Sequence, residues 1–477
     1  MDMSVRVRDT LSRQEVEIGQ DGKIGIYVCG PTVYDHIHIG NARAPLFWDV
    51  VARYLRSRGY EVTLVQNITD IDDKIINKAN DEGVSWEEIV RRYTDSFHDR
   101  LGTLGINTNK FPDLEPRATG HIPEMISLVE ELIEKGHAYA PGNGDVYYRV
   151  ESYPPYGQLS KQRPDEMRET EKSATGYKES PLDFALWKAS KPGEPSWESP
   201  WGSGRPGWHI ECSAMVEKHL PDGADIHGGG ADLRFPHHEN ELAQSDAAHP
   251  NGTFVRAWVH HGLINVASGK MAKSVGNILD VERAVELHGP NAIRMWFLQG
   301  HYSQPIEYSE EILEEKGRAY ERLRNVYTQI GDSTSSSELS DSLAAELKER
   351  FDAAMSDDLD TPRALAAIFE AAGRVGQEVS ARPAAAKEFL SFKGTLAEHL
   401  FTLGFTLPVW SEIQLPWHVV RIRDGLEPGE QVVKKIARRE QARREKNWAV
   451  ADQLRDELHN EGWSVEDTPE GPVLSRR

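Results

Sequence analysis

The sequence predicts an α/β protein: a doubly wound parallel sheet carrying an insertion, then a helical bundle and a small C-terminal unit. Three observations lead there. A β-α-β pattern opens the chain, helical periodicity takes over from about residue 308, and 477 residues are too many for one core and suggest about three domains.

The elements follow in order. Residues 24–29 (Ile-Gly-Ile-Tyr-Val-Cys) form a short apolar run closed by the turn signal Gly30-Pro31, the pattern of a buried strand. A helix fits 41–58, with Ala42, Leu46, Phe47, Val50, Val51, Tyr54 and Leu55 on one stripe. Gly59 stops it, and Val62-Thr63-Leu64-Val65 resumes a strand. Such a unit implies parallel strands and a right-handed crossover, the opening of a Rossmann-like nucleotide-binding domain. Ser85 with Glu88 makes a capping-box pattern ahead of Ile89, Tyr93, Phe97 and Leu101. Ile122, Ile126, Val129 and Ile133 mark a further helix ended by Gly136, and 137–150 predicts a hairpin around Gly142-Asn143-Gly144. From 151 to about 207 Pro, Ser, Lys and Glu predict an irregular insertion over the sheet. Tyr320, Leu323, Val326, Tyr327 and Ile330 form a helical stripe before a Ser-rich stretch at 331–341. Thr361-Pro362 predicts an N-cap and first helical residue, and 405–428 a Pro- and Trp-rich linker.

Composition narrows the function. No apolar run approaches the roughly 20 residues that span a bilayer, and the first residues lack the apolar core of a signal peptide, so a cytoplasmic location is expected. Two cysteines, Cys29 and Cys212, make no disulfide framework and point to free thiols or metal ligands. A net charge of -21 excludes non-specific nucleic-acid binding over the whole surface, so an RNA partner has to meet local basic patches.

Two clusters carry candidate chemistry. Tyr34-Asp35-His36-Ile37-His38-Ile39-Gly40-Asn41 lies between the first strand and its helix, where unpaired N–H groups and partial positive charge attract phosphate. Gly40 permits close approach of a nucleotide. Gly269-Lys270-Met271-Ala272-Lys273-Ser274 places two lysines at spacing three in a Gly-flanked loop, suited to a leaving pyrophosphate. Taken singly, an N-capping or solvated histidine explains the first equally well, and a solvated basic loop explains the second more simply.

Their pairing is more specific. His38-Ile39-Gly40-Asn41 resembles the HIGH signature of class I aminoacyl-tRNA synthetases, and Lys270-Met271-Ala272-Lys273-Ser274 resembles their KMSKS loop, in the order and separation of that class. Asn41 stands where the signature has its second histidine and keeps a donor. Ala272 replaces the first serine and removes a hydroxyl but neither lysine. Tyr27-Val28-Cys29-Gly30, Gln66-Asn67-Ile68-Thr69-Asp70-Ile71-Asp72-Asp73-Lys74, Trp208-His209-Ile210-Glu211-Cys212, His227-Gly228-Gly229-Gly230-Ala231-Asp232 and Phe235-Pro236-His237-His238-Glu239-Asn240-Glu241 look like the cysteinyl-tRNA synthetase family, a resemblance covering nearly the whole chain.

That resemblance implies ATP-dependent activation of L-cysteine to cysteinyl-adenylate and transfer to tRNA(Cys), with ATP arriving as its Mg²⁺ complex. It implies phosphate handling by His38, Asn41, Lys270 and Lys273, with Gly40 and Gly229 lining the ATP site. Thr69 and Asp232 would hold the substrate ammonium, and Trp208 and His227 would wall the pocket. One Zn²⁺ per chain would sit on Cys29, Cys212, His237 and Glu241 and contact the substrate sulfur. The chemistry agrees: His237 and Glu241, four apart, share a helix face, and two thiolates complete an S₂NO set that suits Zn²⁺ over Mg²⁺ or Ca²⁺. Without the family, two buried unliganded cysteines explain the same residues. His238 and Glu239 are expected to point elsewhere. A metal that prefers sulfur rejects serine, where an apolar pocket separates close analogues by only about 1–3 kcal/mol.

The implied organisation is a catalytic domain over 1–307 with the insertion at about 110–207 and the lysine loop at 270–274. A stem-contact and helical-bundle (DALR-type) domain would follow over 308–404, then a linker at 405–428 and an anticodon-binding domain over 429–477, the whole acting as a monomer. Within 430–446, Lys434, Lys435, Arg438, Arg439, Arg443, Arg444 and Lys446 exceed the acidic residues by four, which fits RNA binding as well as a solvated helix face. Trp448 and Trp463 offer either base stacking or core packing. Two rivals remain at this point: a cysteine:amino-sugar ligase of the mycothiol type, which lacks such a tail, and a non-catalytic RNA-binding paralogue.

Overall fold

The computed structural model describes residues 4–108, 110–163, 177–250, 252–266, 269–270, 279–330, 333–407, 411–414, 419–422, 428–468 and 471–476. The chain divides into two units, Met1–Leu323 with Asp332–Phe405, and Arg324–Gly331 with Thr406–Arg477.

In the first unit an antiparallel hairpin, β1 (Val5–Arg8) and β2 (Glu15–Ile18), precedes β3 (Lys23–Val28), α1 (Ile39–Ser57) and β4 (Glu61–Gln66). β3 and β4 pair in parallel, and the predicted α1 stripe is buried throughout. α2 (Asp73–Glu82) and α3 (Trp86–Thr103) follow. Ser85 caps α3 by accepting the Glu88 N–H, whereas the Glu88 carboxylate turns to Arg91 and leaves the capping box half made. After α4 (Ile122–Glu134), β5 (Ala138–Tyr139) and β6 (Val146–Tyr148) form the predicted hairpin, with Gly142 and Gly144 at positive φ in its turn.

The insertion departs from the expectation of irregular chain. β7 (Phe184–Ala189) and β8 (Gly204–Pro206) extend the hairpin into a four-stranded antiparallel sheet, ordered β5-β6-β7-β8. Phe184, Leu186 and Trp187 are buried in one core with Tyr148, Ile210 and Ala243. The run is apolar on both faces, so it shows no alternation to read against its Pro- and Lys-rich flanks.

α5 (Trp208–His219), β9 (Ala224–Gly230), α6 (Glu239–Ala248) and β10 (Val255–His261) return to the main sheet, whose order is β10-β9-β3-β4 with every pair parallel. The chain leaves β3 toward β4 on one side and returns as β9 on the other. The crevice at the carboxyl ends of β3 and β9 is therefore the switch point where open α/β sheets bind ligands. β11 (Ile264–Val266) pairs with β12 (Gly269–Lys270), then come α7 (Val281–His288), α8 (Pro290–Leu298) and β13 (Ile306–Glu307).

α9 (Glu310–Ile330), α10 (Glu338–Met355), α11 (Thr361–Ala381) and α12 (Leu390–Thr402) make the predicted helical region. Asp360, not Thr361, caps α11, because its carboxylate accepts the Arg363 N–H while the Thr361 hydroxyl donates to the Leu298 carbonyl. No helix among the described residues is long and apolar enough to cross a membrane.

In the second unit β14 (Ser411–Gln414), β15 (Val419–Ile422), β16 (Trp463–Thr468) and β17 (Gly471–Arg476) form one sheet with α13 (Glu430–Arg444) and α14 (Trp448–Asn460). The stretch expected as a linker at 405–428 thus contributes two strands, and Val420 and Ile422 pack with Ile436, Leu458, Trp463 and Leu474. Trp463 is core, while Trp448 is 56% exposed beneath the Arg443 guanidinium. Of the seven cations near α13, Lys435 pairs with Glu457 and Glu461, and Arg439 and Arg443 pair with Asp467. The local positive excess presented outward is smaller than the sequence count.

Candidate metal and adenylation site

Each residue at the crevice owes its place to an element end. Cys29 follows β3, Thr69 follows β4, His227 to Gly230 close β9, and Trp208, Glu211 and Cys212 lie on the first turns of α5. His237 enters from the turn before α6 and Glu241 from its first turn.

Cys29 and Cys212, 183 residues apart, bring their Sγ atoms to 3.7 Å. Glu241 Oε1 lies 3.6 Å from Cys29 Sγ and 3.1 Å from His237 Nε2. The donor atoms of Cys29, Cys212, His237 and Glu241 lie within 4.8 Å of one another, as do those of Cys29, His227, His238 and Glu241. The first set has two sulfurs. In it His237 Nε2 and Glu241 Oε2 are buried and make no well-formed hydrogen bond; they lie only at ion-pair distance, 3.1 Å from Glu241 Oε1 and 3.4 Å from His227 Nε2, an arrangement a cation would satisfy. The far nitrogen of His237 is 3.0 Å from His209 Nδ1, which fixes the ring, and Trp208 stacks on its face at 4.2 Å. In the second set His227 and His238 direct Nε2 at Cys29 Sγ, 3.4 and 3.3 Å away.

Burial sets the protonation states. It pushes the Cys29 thiol and the Glu241 carboxyl up, and His237, His227 and His238 down. The hydrogen bond with Cys29 favours the Cys212 thiolate, but burial and the Glu241 and Glu211 carboxyls outweigh it and raise that thiol too. Burial thus favours the uncharged form of each group in the set, and a divalent cation would draw off protons on binding.

Beside this cluster the Thr69 hydroxyl donates to Glu211 Oε2 at 3.0 Å, and burial raises the Glu211 carboxyl. Asp232 lies over Gly230, where a Cβ would fall 2.5 Å from its Oδ1. A Cβ at Gly229 would meet the His238 ring at 2.6 Å and one at Gly228 the Trp48 ring at 2.1 Å, so the glycine run is set by packing as much as by any ligand.

At the start of α1, His38 Nδ1 accepts the Gly40 N–H at 3.1 Å and Asn41 Oδ1 accepts the His38 N–H at 3.2 Å. This closes a capping box. With Nδ1 accepting, the neutral His38 ring carries its proton on Nε2, and Asn41 keeps its NH₂ as donor. The Ile39 N–H bonds the Leu279 carbonyl, and the backbones of His38 and Asp280 form an isolated antiparallel β-bridge. The signature helix therefore meets the chain just after the lysine loop. Lys270 is placed by its backbone on β12, opposite Asn265, and Lys273 lies outside the described residues.

One placement differs from the sequence expectation. His238 does not point away: the π-type turn at Arg234–His238 swings it onto Cys29. His227, expected as a pocket wall, is fully buried against the cluster, stacked on Trp258 at 4.6 Å. Glu239 does face elsewhere, accepting N–H bonds from Gly157, Leu159 and Ser160. Glu211 was missed; its only signal was an acidic residue inside an otherwise buried α5 turn.

The catalytic-domain family of tRNA synthetases class I (C) matches residues 15–318. A DALR domain matches 350–407, and a cysteinyl-tRNA ligase anticodon binding domain 430–471. Solved structures share the fold at low identity. A methionyl-tRNA synthetase of Mycobacterium tuberculosis bound by methionyl-adenylate aligns at TM-score 0.59 and 17% identity, covering 80% of this chain and 90% of that one. A LeuRS–tRNA–LeuAMS complex of Agrobacterium radiobacter K84 aligns at 0.57 and 12%, covering 95% of each. A parallel sheet with this switch point and this helix start defines a class I aminoacyl-tRNA synthetase catalytic domain. A cysteine-tRNA ligase of Rubrobacter xylanophilus is 66% identical over 475 residues, covering 100% of both chains, and one of Thermodesulfovibrio yellowstonii is 42% identical, covering 98% and 99%. The chain belongs to the cysteine-tRNA ligase family.

Proposed function

We propose that this protein joins L-cysteine to tRNA(Cys) in two steps, forming cysteinyl-adenylate from cysteine and Mg²⁺-bound ATP and then transferring the cysteinyl group to a hydroxyl of the terminal adenosine with release of AMP. The observation that carries the reading is the meeting of Cys29 and Cys212 at 3.7 Å with His237 and Glu241, all four donor atoms lying within 4.8 Å of one another. Zinc held by Cys29, Cys212, His237 and Glu241 would supply a soft cation that takes a sulfur in preference to a hydroxyl.

The remaining roles belong to side chains. In the first step the cysteine carboxylate attacks the α-phosphorus of ATP and pyrophosphate leaves. His38 Nε2–H and the Asn41 amide, oriented by the capping box, are donors for the phosphate charge that develops. Lys270 and Lys273 would neutralise the departing pyrophosphate. Thr69 and Asp232 would hold the ammonium, with Glu211 fixing the Thr69 hydroxyl. Trp208, half-buried over His237, would close the pocket, His227 would brace Cys29, and Gly40 and Gly229 would admit the nucleotide. Positioning and electrostatics supply the rate, since the reaction needs no covalent help from the protein.

The match to an anticodon-binding domain over 430–471 favours tRNA over an amino-sugar acceptor, and the retained lysines and ligand set favour an active enzyme over a paralogue without chemistry. A monomer in the cytoplasm is the form we expect. The test is pyrophosphate exchange with cysteine and with serine, before and after chelation. Cysteine-dependent exchange that chelation abolishes supports the proposal; equal exchange with serine overturns it.

A further inference from the structure

We infer that Arg43 is a positioning residue that fixes the lysine-bearing strand pair β11–β12 to the signature helix α1; the inference rests on the proposed adenylation site. Arg43 stands two residues after Asn41, on the buried side of α1, and is 2% exposed. Both terminal nitrogens of its guanidinium donate to backbone carbonyls. Nη1 donates to Gly262 and Leu263, and Nη2 to Tyr302 at 3.1 Å, Gln304 at 2.9 Å and His301 at 3.5 Å.

Those five carbonyls belong to two segments with one consequence. Gly262 and Leu263 are the whole connection between β10 of the central sheet and β11. His301 to Gln304 precede β13, the other neighbour of β11. The segments touch through their backbones: the Gly262 N–H bonds the Tyr302 carbonyl, the Ile306 N–H bonds the Leu263 carbonyl, and a Cβ at Gly262 would fall 2.2 Å from Gln304. β11 in turn pairs with β12, which carries Lys270. A single planar fork therefore sets where this three-stranded sheet starts relative to the first turn of α1, which carries His38 and Asn41. No carboxylate accepts from Arg43 in any of these contacts. Its role is geometric, and a point charge on a flexible stem cannot reproduce it.

Displacing reacting groups by about 1 Å can cost about 100-fold in rate. Arg43→Lys keeps the charge and loses the fork. It is compared with Arg294→Lys, another buried arginine, which pairs with Asp49 of α1 at 3.5 Å and donates to the Leu104 and Leu403 carbonyls, away from β11. Both variants are made in the full chain loaded with zinc. Cysteine-dependent pyrophosphate exchange is measured per active site, counted by the adenylate burst, alongside the melting temperature. The expected result is that both variants melt lower. Only Arg43→Lys should lose kcat, by about 10–100-fold, with the KM for cysteine held within about twofold. If Arg43→Lys keeps wild-type kcat per active site, or if Arg294→Lys loses kcat equally, the positioning role is overturned. If the wild-type protein shows no cysteine-dependent exchange, the proposed function fails instead, and the two failures are distinct.

Discussion

Replacing Cys212 by serine removes one sulfur from the proposed zinc set while changing side-chain volume little. Cys212 is 1% exposed, and Asn67 Oδ1, 3.8 Å from its sulfur, offers an acceptor for the new hydroxyl. The cost to folding should therefore stay within about 1–3 kcal/mol. The cost to the metal is larger. Loss of an outer partner of a ligand costs about 10–100-fold in affinity, so loss of a thiolate ligand itself should cost about 100-fold or more, at least about 2.8 kcal/mol.

Proton release gives a second reading of the same variant. Without metal, burial raises the Cys29, Cys212 and Glu241 groups, so protons compete with the cation for them. Each thiol that becomes a ligand releases a proton, so zinc affinity falls as pH falls, by about two log units or more per pH unit around neutrality. Cys212→Ser should reduce that slope by about one. The assay is competition with a chromophoric chelator at several pH values, with circular dichroism to show the fold is kept. A folded variant with unchanged affinity and unchanged slope would mean that Cys212 is not a zinc ligand.

Other perturbations separate the remaining parts. Asn41→Ala should lower the exchange kcat by about 100-fold, as loss of an oriented donor does, and Asn41→His should recover most of it; steady-state kinetics decide. Trp463→Ala should destabilise the C-terminal unit by about 3–5 kcal/mol, abolishing tRNA charging but sparing cysteine-dependent exchange, as calorimetry and the two assays would show. Glu239→Ala leaves the N–H groups of Gly157, Leu159 and Ser160 without their acceptor and should cost at least about 2 kcal/mol in denaturant unfolding, with no cost meaning the turn is held elsewhere.

The opening β-α-β unit was legible because α1 buries a continuous stripe and β3 and β4 are apolar runs closed by turns. The cluster was legible through the family resemblance, because its residue types alone, two thiols and an His-x-x-x-Glu pair, suit a metal but fit buried unliganded cysteines as well. What escaped the sequence depends on neighbours distant along the chain. β7 is buried on both faces and gives no alternation. His238 reaches Cys29 only because the chain turns before α6. Glu211 gains its meaning from Thr69, 142 residues away. The strands at 411–414 and 419–422 are too short to stand out in a Pro- and Trp-rich stretch and exist by pairing with each other and with β17. The cation excess near α13 was counted correctly, but its internal pairing to Asp467, Glu457 and Glu461 is a tertiary fact.

X-ray absorption at the zinc edge addresses the sulfur-sensing site most directly. The protein as isolated should show one zinc with two sulfur neighbours at about 2.3 Å and lighter atoms at about 2.0–2.2 Å. Adding cysteine should raise the sulfur count to three, and adding serine should leave it at two. A metal shell without sulfur, or the same spectrum with either amino acid, would mean that the metal does not sense the substrate sulfur.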